Sequence, residues 1–154
     1  ATVTFSQSSD GTYSGVMSGS GLLEKSGAAT LTLSGANNYI GGTLISNGTL
    51  LGNTTSIQGD IADNSRLNFY QIANGTFTDV ISGTGSLVKT GGATLTLTNS
   101  NSYSGGTTVS AGSLVGDTTS LQNDIENNAT VIALIKSAIN FNIDLICVLD
   151  TLLL

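Results

Sequence analysis

The sequence predicts an all-β parallel solenoid of about six coils, built from two copies of one unit. Three observations carry that prediction. The first is an internal period: Gly11 and Gly75, Lys25 and Lys89, Tyr39 and Tyr103, and Gly52 and Gly116 are each 64 residues apart, with no gap between them. Residues 1–64 and 65–128 are therefore two copies, and residues 129–154 form an apolar tail that leaves the pattern. Where the copies differ they mostly exchange like for like, as Val16 with Val80, Met17 with Ile81 and Ile45 with Val109. The second observation is texture: short apolar–polar alternations broken by Gly and Asn, with no helical period. The third is composition. Gly occurs 20 times, Pro, His and Trp are absent, and only 9% of residues are charged. Such a chain could be disordered, but a mean hydropathy of +0.24 and regular apolar spacing let it bury a core.

Along the first copy, Thr2–Phe5 alternates as a half-buried strand, and Ser8, Ser9, Asp10 and Gly11 form a turn cluster. Residues 12–17 read as the next strand and Ser18-Gly19-Ser20-Gly21 as the next turn. A strand follows at Leu22–Lys25, and Ser26-Gly27 breaks it before residues 29–33, the clearest alternation in the copy. There Leu31 and Leu33 face one way while Thr30 and Thr32 face the other. Asn37 and Asn38 lead to Tyr39 and Ile40, then a kink at Gly41-Gly42, a strand over Thr43–Ile45, a turn at Asn47-Gly48 and a strand at residues 49–51. Residues 52–64 are polar, marked by Ile57 and Ile61. The second copy repeats these events, with Leu95 and Leu97 inward and Thr94, Thr96 and Thr98 outward.

An antiparallel sandwich would make Asn47-Gly48 a two-residue hairpin turn. The second copy has Ala111-Gly112 there, which fits a solenoid corner and not a turn needing positive φ at both positions. A three-sided coil of roughly 20 to 24 residues makes each copy about three coils, with strands about 4.8 Å apart. Copies then stack residue over residue, Lys25 with Lys89 and Tyr39 with Tyr103, and a narrow interior leaves no room for large rings.

The motifs at residues 18–52 and 82–116 share the pattern S-G-x-G-x-L-x-K-x-G-x-A-T-L-T-L, then N-x-Y-x-G-G-T and G-x-L-x-G. This pattern resembles the autotransporter-associated β-strand repeat of Gram-negative autotransporter passengers. The flanking Q-G-D-I-A-D-N and Q-N-D-I-E-N-N blocks resemble inter-motif segments of the same passengers. The resemblance implies a right-handed parallel β-helix stalk, carried across the outer membrane and displayed on the bacterial surface or secreted. It implies neighbouring passenger repeats of a longer chain as partners. The chain opens at Ala1 in register with the repeat, without a basic or apolar leader, as expected of a segment cut or processed from a longer array. It shows no C-terminal barrel of the autotransporter kind.

Residues 131–154 carry no Gly and are rich in Ile and Leu. Lys136, Asn140, Asn142, Asp144 and Asp150 interrupt them, and each charge at mid-bilayer would cost about 2.5 to 3.5 kcal/mol. Three readings stand: a cap on the open solenoid end, a frame-shifted or truncated end, and a membrane anchor.

Chemistry finds little purchase. A net charge of −6, with Lys25, Arg66, Lys89 and Lys136 the only side-chain cations, argues against a nucleic-acid partner. Cys147 stands alone, so neither an internal disulfide nor a Cys/His metal site is expected. Glycan cleavage would need converging carboxylates. Asp60 and Asp63 with Asp124 and Glu126 form the one acidic group expected to stack. Three coils would hold the two pairs about 14 Å apart, and they read as solvated corners. Gly19-Ser20-Gly21 and Gly83-Thr84-Gly85 lack the rest of a phosphate loop, and no calcium-binding nonapeptide is present. The T-x-T pairs Thr30/Thr32 and Thr94/Thr96 are too sparse for an ice-binding face, and the sequons at Asn47, Asn53, Asn74 and Asn128 arise freely in an Asn/Thr-rich chain. The expectation is a structural segment that is not an enzyme, with no catalytic, cofactor or metal residues and no small-molecule substrate. The alternative is an adhesin-type module for a host-cell glycan or protein, with Arg66 and Tyr70 as its distinctive exposed residues.

Overall fold

A computed structural model describes residues 1–135 and the strand Leu145–Leu149. The described residues form a parallel β-solenoid with three faces. On the first face lie, in stacking order, Thr2–Phe5, Leu22–Lys25, Thr43–Ile45, Ile61–Asp63 and Ile81–Ser82. The second carries Gly11–Tyr13, Thr30–Leu33, Thr49–Gly52, Arg66–Tyr70, Ser86–Thr90, Thr107–Val109 and Ile125–Asn127. The third begins with Ser18–Gly19 and Asn38–Tyr39, passes through the turn at residues 53–56, and continues with Gly75–Phe77, Thr94–Leu97, Ser113–Asp117 and Thr130–Ile135. The turn belongs to this face because Asn37 N donates to Thr55 O at 3.0 Å on one side and Gln71 Nε2 donates to Thr54 Oγ1 at 3.1 Å on the other. Thr130–Ile135 also pairs antiparallel with Leu145–Leu149. The three readings of the tail otherwise concern residues outside those described.

The predicted alternation holds: Leu31, Leu33, Leu95 and Leu97 are buried, and the threonines between them face outward. Both Gly48 (φ +73°) and Gly112 (φ +70°) turn corners. Only the second residue of the dipeptide needs the left-handed conformation, so Ala111 serves as well as Asn47 before it.

Two expectations about stacking are corrected. Successive strands on a face are 17 to 20 residues apart, as Leu50 from Leu67 and Leu67 from Leu87, so the second face counts seven coils where six were expected. Sixty-four residues are then not a whole number of coils. The second copy is instead turned by one face relative to the first. Thr2–Phe5 lies on the first face, its counterpart Arg66–Tyr70 on the second, and the start of a third copy, Thr130–Ile135, on the third. Tyr39 is on the third face, whereas Tyr103 follows the first, where Ser102 N donates to Ile81 O at 2.8 Å. Like therefore does not stack on like. The first face stacks Phe5, Lys25, Ile45 and Asp63 in register. The second stacks their counterparts Phe69, Lys89, Val109 and Asn127.

The interior also accepts large rings, contrary to expectation. Phe69, Phe77, Tyr39 and Tyr103 are buried in a cluster of side chains that runs from Leu23 to Val131 and joins both copies. Phe69 fits because Gly52 is its register partner. A Cβ on Gly52 would come within 2.5 Å of Ser56 Oγ and 2.9 Å of Ile57 Cγ1, so the coil narrows there to a residue without a side chain. Phe69 and Phe77 meet with ring centroids 5.3 Å apart.

Candidate functional site

In a molecule that works by stacking, the residues that can act are those holding one coil to the next. The polar side chains buried inside this solenoid do so, and the two copies carry nearly the same set.

Lys25 and Lys89 end inward-facing alternations, after Leu23 and Leu87, and both are fully buried. A buried ammonium needs partners for its donors. Lys89 Nζ donates to Thr90 O and Gly91 O at 2.8 Å each and to Ala111 O at 3.0 Å. Lys25 Nζ donates to Gly27 O and, at 3.2 Å, to Asn47 O. Each lysine thus ties the corner of its own coil to the corner of the next. Burial lowers the pKa of both amines from the usual lysine value.

Asn37 and Asn101 span three coils each. Asn101 Oδ1 accepts from Ile81 N at 2.8 Å on one side, and its Nδ2 donates to Ser120 O at 2.8 Å on the other. Asn37 does the same with Met17 N at 2.8 Å and Ser56 O at 2.6 Å. Beside them the hydroxyls of Tyr39 and Thr43 lie 2.8 Å apart, and those of Tyr103 and Thr107 2.7 Å apart. Burial raises both phenol pKa values, which keeps the hydroxyls neutral.

A third device closes the tight turn after each Leu-x-Gly strand. Asn53 Oδ1 accepts from Thr55 N at 2.9 Å and Ser56 N at 3.0 Å, while Ser56 Oγ accepts from Asn53 N at 2.8 Å. Asp117 replaces Asn53 in the second copy and accepts from Thr119 N and Ser120 N at 2.9 Å each. The Thr119 hydroxyl, followed by the backbone amides, holds the Asp117 carboxyl down to a pKa of about 2. Asp117→Ala removes a reciprocal cap and is expected to cost about 1 kcal/mol in urea unfolding at pH 7. The folded pKa is depressed, so the carboxylate's advantage is present above the ordinary value of 3.8 and fades as pH falls toward 2; the gap between wild type and variant should narrow there.

The acidic residues do not converge. Asp60 Oδ1 accepts from Val80 N at 2.9 Å and Asp10 Oδ1 from Thr30 N at 2.7 Å, each reaching one coil along. Asp63 is not a solvated corner: it is fully buried on the first face, whereas Ile125–Asn127, which holds Glu126, lies on the second. Its Oδ1 accepts from Ser65 N at 3.0 Å, and its Oδ2 has no hydrogen-bond partner. Among the described residues no three His, Cys, Asp or Glu side chains are grouped to hold a metal ion. Arg66 and Tyr70 are exposed, as expected.

Sequence reasoning missed the buried lysines and Asp63. The signal was parity: Lys25 shares it with Leu23, Lys89 with Leu87, and Asp63 with Ile61. Asn37 and Asn101 gave no local signal, because their partners lie 19 and 20 residues away.

A family model described as passenger-associated-transport-repeat matches residues 23–51 and 87–115, the two stretches that hold Lys25, Asn37 and Tyr39 and then Lys89, Asn101 and Tyr103. No curated protein and no solved structure matches the chain.

Proposed function

From a chain that carries two passenger-associated transport repeats within one parallel solenoid, we propose a mechanical function: a stalk segment of an autotransporter passenger that folds coil by coil outside the cell. The observation that supports this reading most directly is that the recurring buried polar groups join successive coils. Lys89 reaches Ala111 in the next coil, and Asn101 reaches Ile81 and Ser120 on either side. A coil that emerges from the membrane finds donors and acceptors already fixed on the coil before it. Stability is then a sum over neighbouring coils, and each added coil opposes back-sliding of the chain. The location that follows is the bacterial surface or the medium, and the partners are neighbouring repeats of the same passenger. No catalytic step enters this mechanism.

The test is surface display of a full-length passenger from which residues 65–128 have been removed. Reduced display, read by protease accessibility on intact cells, is the expected result. Unchanged display would remove the transport role and leave a spacer.

An adhesin reading has one supporting observation. Arg66 and Tyr70 project outward from the same strand, and Ile72 just beyond it is 73% exposed. Binding of residues 1–154 to a glycan array, lost in Tyr70→Ala, is the result that would favour it.

A further inference from the structure

The strand Thr2–Phe5 and its counterpart Arg66–Tyr70 differ in one respect, which is what lies against their leading edges. Arg66–Tyr70 is sandwiched, with Thr49–Gly52 on one side and Ser86–Thr90 on the other. Thr2–Phe5 pairs only with Leu22–Lys25. The consequence is read in the side chains: Leu67 is 0% exposed while Val3 is 51% exposed, and Phe69 is fully buried while Phe5 is half-buried.

The uncovered end is already shaped. Phe5 and Tyr13 hold an edge-to-face pair with centroids 5.5 Å apart, matching the Phe69–Phe77 pair inside the stack. Two shallow hollows open beside them, one lined by Val3, Met17 and Tyr39 and the other by Phe5, Tyr13 and Leu31. Inside the molecule, the partner of such a surface is known. Leu50 covers Leu67 and Gly52 covers Phe69, and the same fit recurs where Leu114 meets Val131 and Gly116 meets Ala133. In both cases the covering strand comes from the preceding unit and lies on the same face as the strand it covers.

We propose that the end carrying Val3 and Phe5 is a docking surface for another 64-residue unit of this repeat, joined ahead of it in line and turned by one face. Its strand equivalent to Thr49–Gly52 lands on Thr2–Phe5, with Leu50 over Val3 and Gly52 over Phe5. Glycine at the covering position is what lets an aromatic ring seat without a clash. Successive units then advance by a third of a turn, and a surface feature returns to the same face only at every third unit. A partner that grips a long array along one face meets each unit's feature once in three repeats. This deepens the stalk reading and rests on it, but its test is made on purified protein, so failure here leaves the display experiment unaffected.

The experiment compares the full chain with the same chain carrying an added copy of residues 1–64 fused ahead of Ala1, both with Cys147→Ser. With Val3→Cys, maleimide labelling is expected to be about tenfold slower or more in the extended protein, because the thiol becomes buried. Equal labelling would overturn the proposal. The phase is tested by Leu51→Cys in the added unit with Thr4→Cys, outward positions that the proposed register places side by side at a Cα separation a disulfide can span. Disulfide formation on mild oxidation is expected. Protection of Val3→Cys without this crosslink would overturn the one-face turn. Protection that rises with protein concentration in the unextended chain would overturn the in-line arrangement in favour of a second molecule.

Discussion

Asn101→Ala is expected to destabilise the protein by about 2 to 6 kcal/mol, because it strands two buried backbone groups at once. The Asn101 amide is the partner of Ile81 N and of Ser120 O, and Ile81 and Ser120 are fully buried. Each buried donor or acceptor left without a partner costs about 1 to 3 kcal/mol, far more than the net worth of an average hydrogen bond. The control is Asn99→Ala. The Asn99 amide is exposed and donates to Thr78 O at 3.2 Å, so a change within about 0.5 kcal/mol is expected. Urea unfolding of both variants, with m held constant, separates them. A loss below about 1 kcal/mol for Asn101→Ala would mean that water replaces the amide and that the three-coil bridge is not what holds the stack. Asn37→Ala acts on a different face and different coils, so its effect should add to that of Asn101→Ala.

The fold was legible because its two strongest constraints are local. Leu31 and Leu33 against Thr30 and Thr32 fix which side is inside. Gly48 and Gly112 recur where a corner needs positive φ. What was not legible is the phase between the copies. No single residue records which face it occupies; the face is set by the summed lengths of all preceding coils, and these shrink from 20 residues to 17 where the turn at residues 53–56 shortens the path. Sequence identity at a spacing of 64 suggests vertical stacking, but the backbone turns the second copy aside by a third of a circuit. The candidate site was legible only in part. Parity placed Lys25 and Lys89 inside, and the expected behaviour of a charged group argued for the surface. Parity won because the corner carbonyls of Gly27, Asn47, Gly91 and Ala111 already point at the amines.

That offset has an energetic meaning for the interior. Vertical stacking would have put Lys89 in register with Lys25, like charge on like, in a medium that screens poorly. Turning each copy by one face places an aliphatic or aromatic side chain on either side of each lysine: Phe5 and Ile45 around Lys25, Phe69 and Val109 around Lys89. The repeat can therefore be copied without accumulating a column of buried charge. A unit whose length were a whole number of coils would lack that freedom.

Asp63→Asn is expected to stabilise the protein at pH 7 by about 2 to 3 kcal/mol and to leave it unchanged near pH 4. Asp63 lies in register beside Ile45, with Lys25 one strand further along the same face. A Cβ on Gly85 would come within 2.3 Å of the Asp63 carboxyl, so the next coil is closed over it. Burial pushes its pKa from 3.8 up to about 6, against the opposing pull of the Ser65 and Leu67 amides. The folded state therefore holds a proton that the unfolded chain releases. The resulting stabilisation is complete below about pH 4, declines as pH rises toward 6, and is absent above it. Above that pH the fold carries a buried carboxylate whose Oδ2 has no partner. The second copy already holds the neutral solution: Asn127 occupies the equivalent place, and its Oδ1 accepts from Ala129 N at 3.1 Å, as Asp63 Oδ1 does from Ser65 N at 3.0 Å. Thermal unfolding of wild type and Asp63→Asn from pH 4 to 8 should give curves that coincide at the acid end and diverge between pH 4 and 6. Parallel curves would mean that Asp63 ionises freely in the folded state, and a variant less stable at every pH would mean that the amide nitrogen finds no acceptor where Oδ2 now stands.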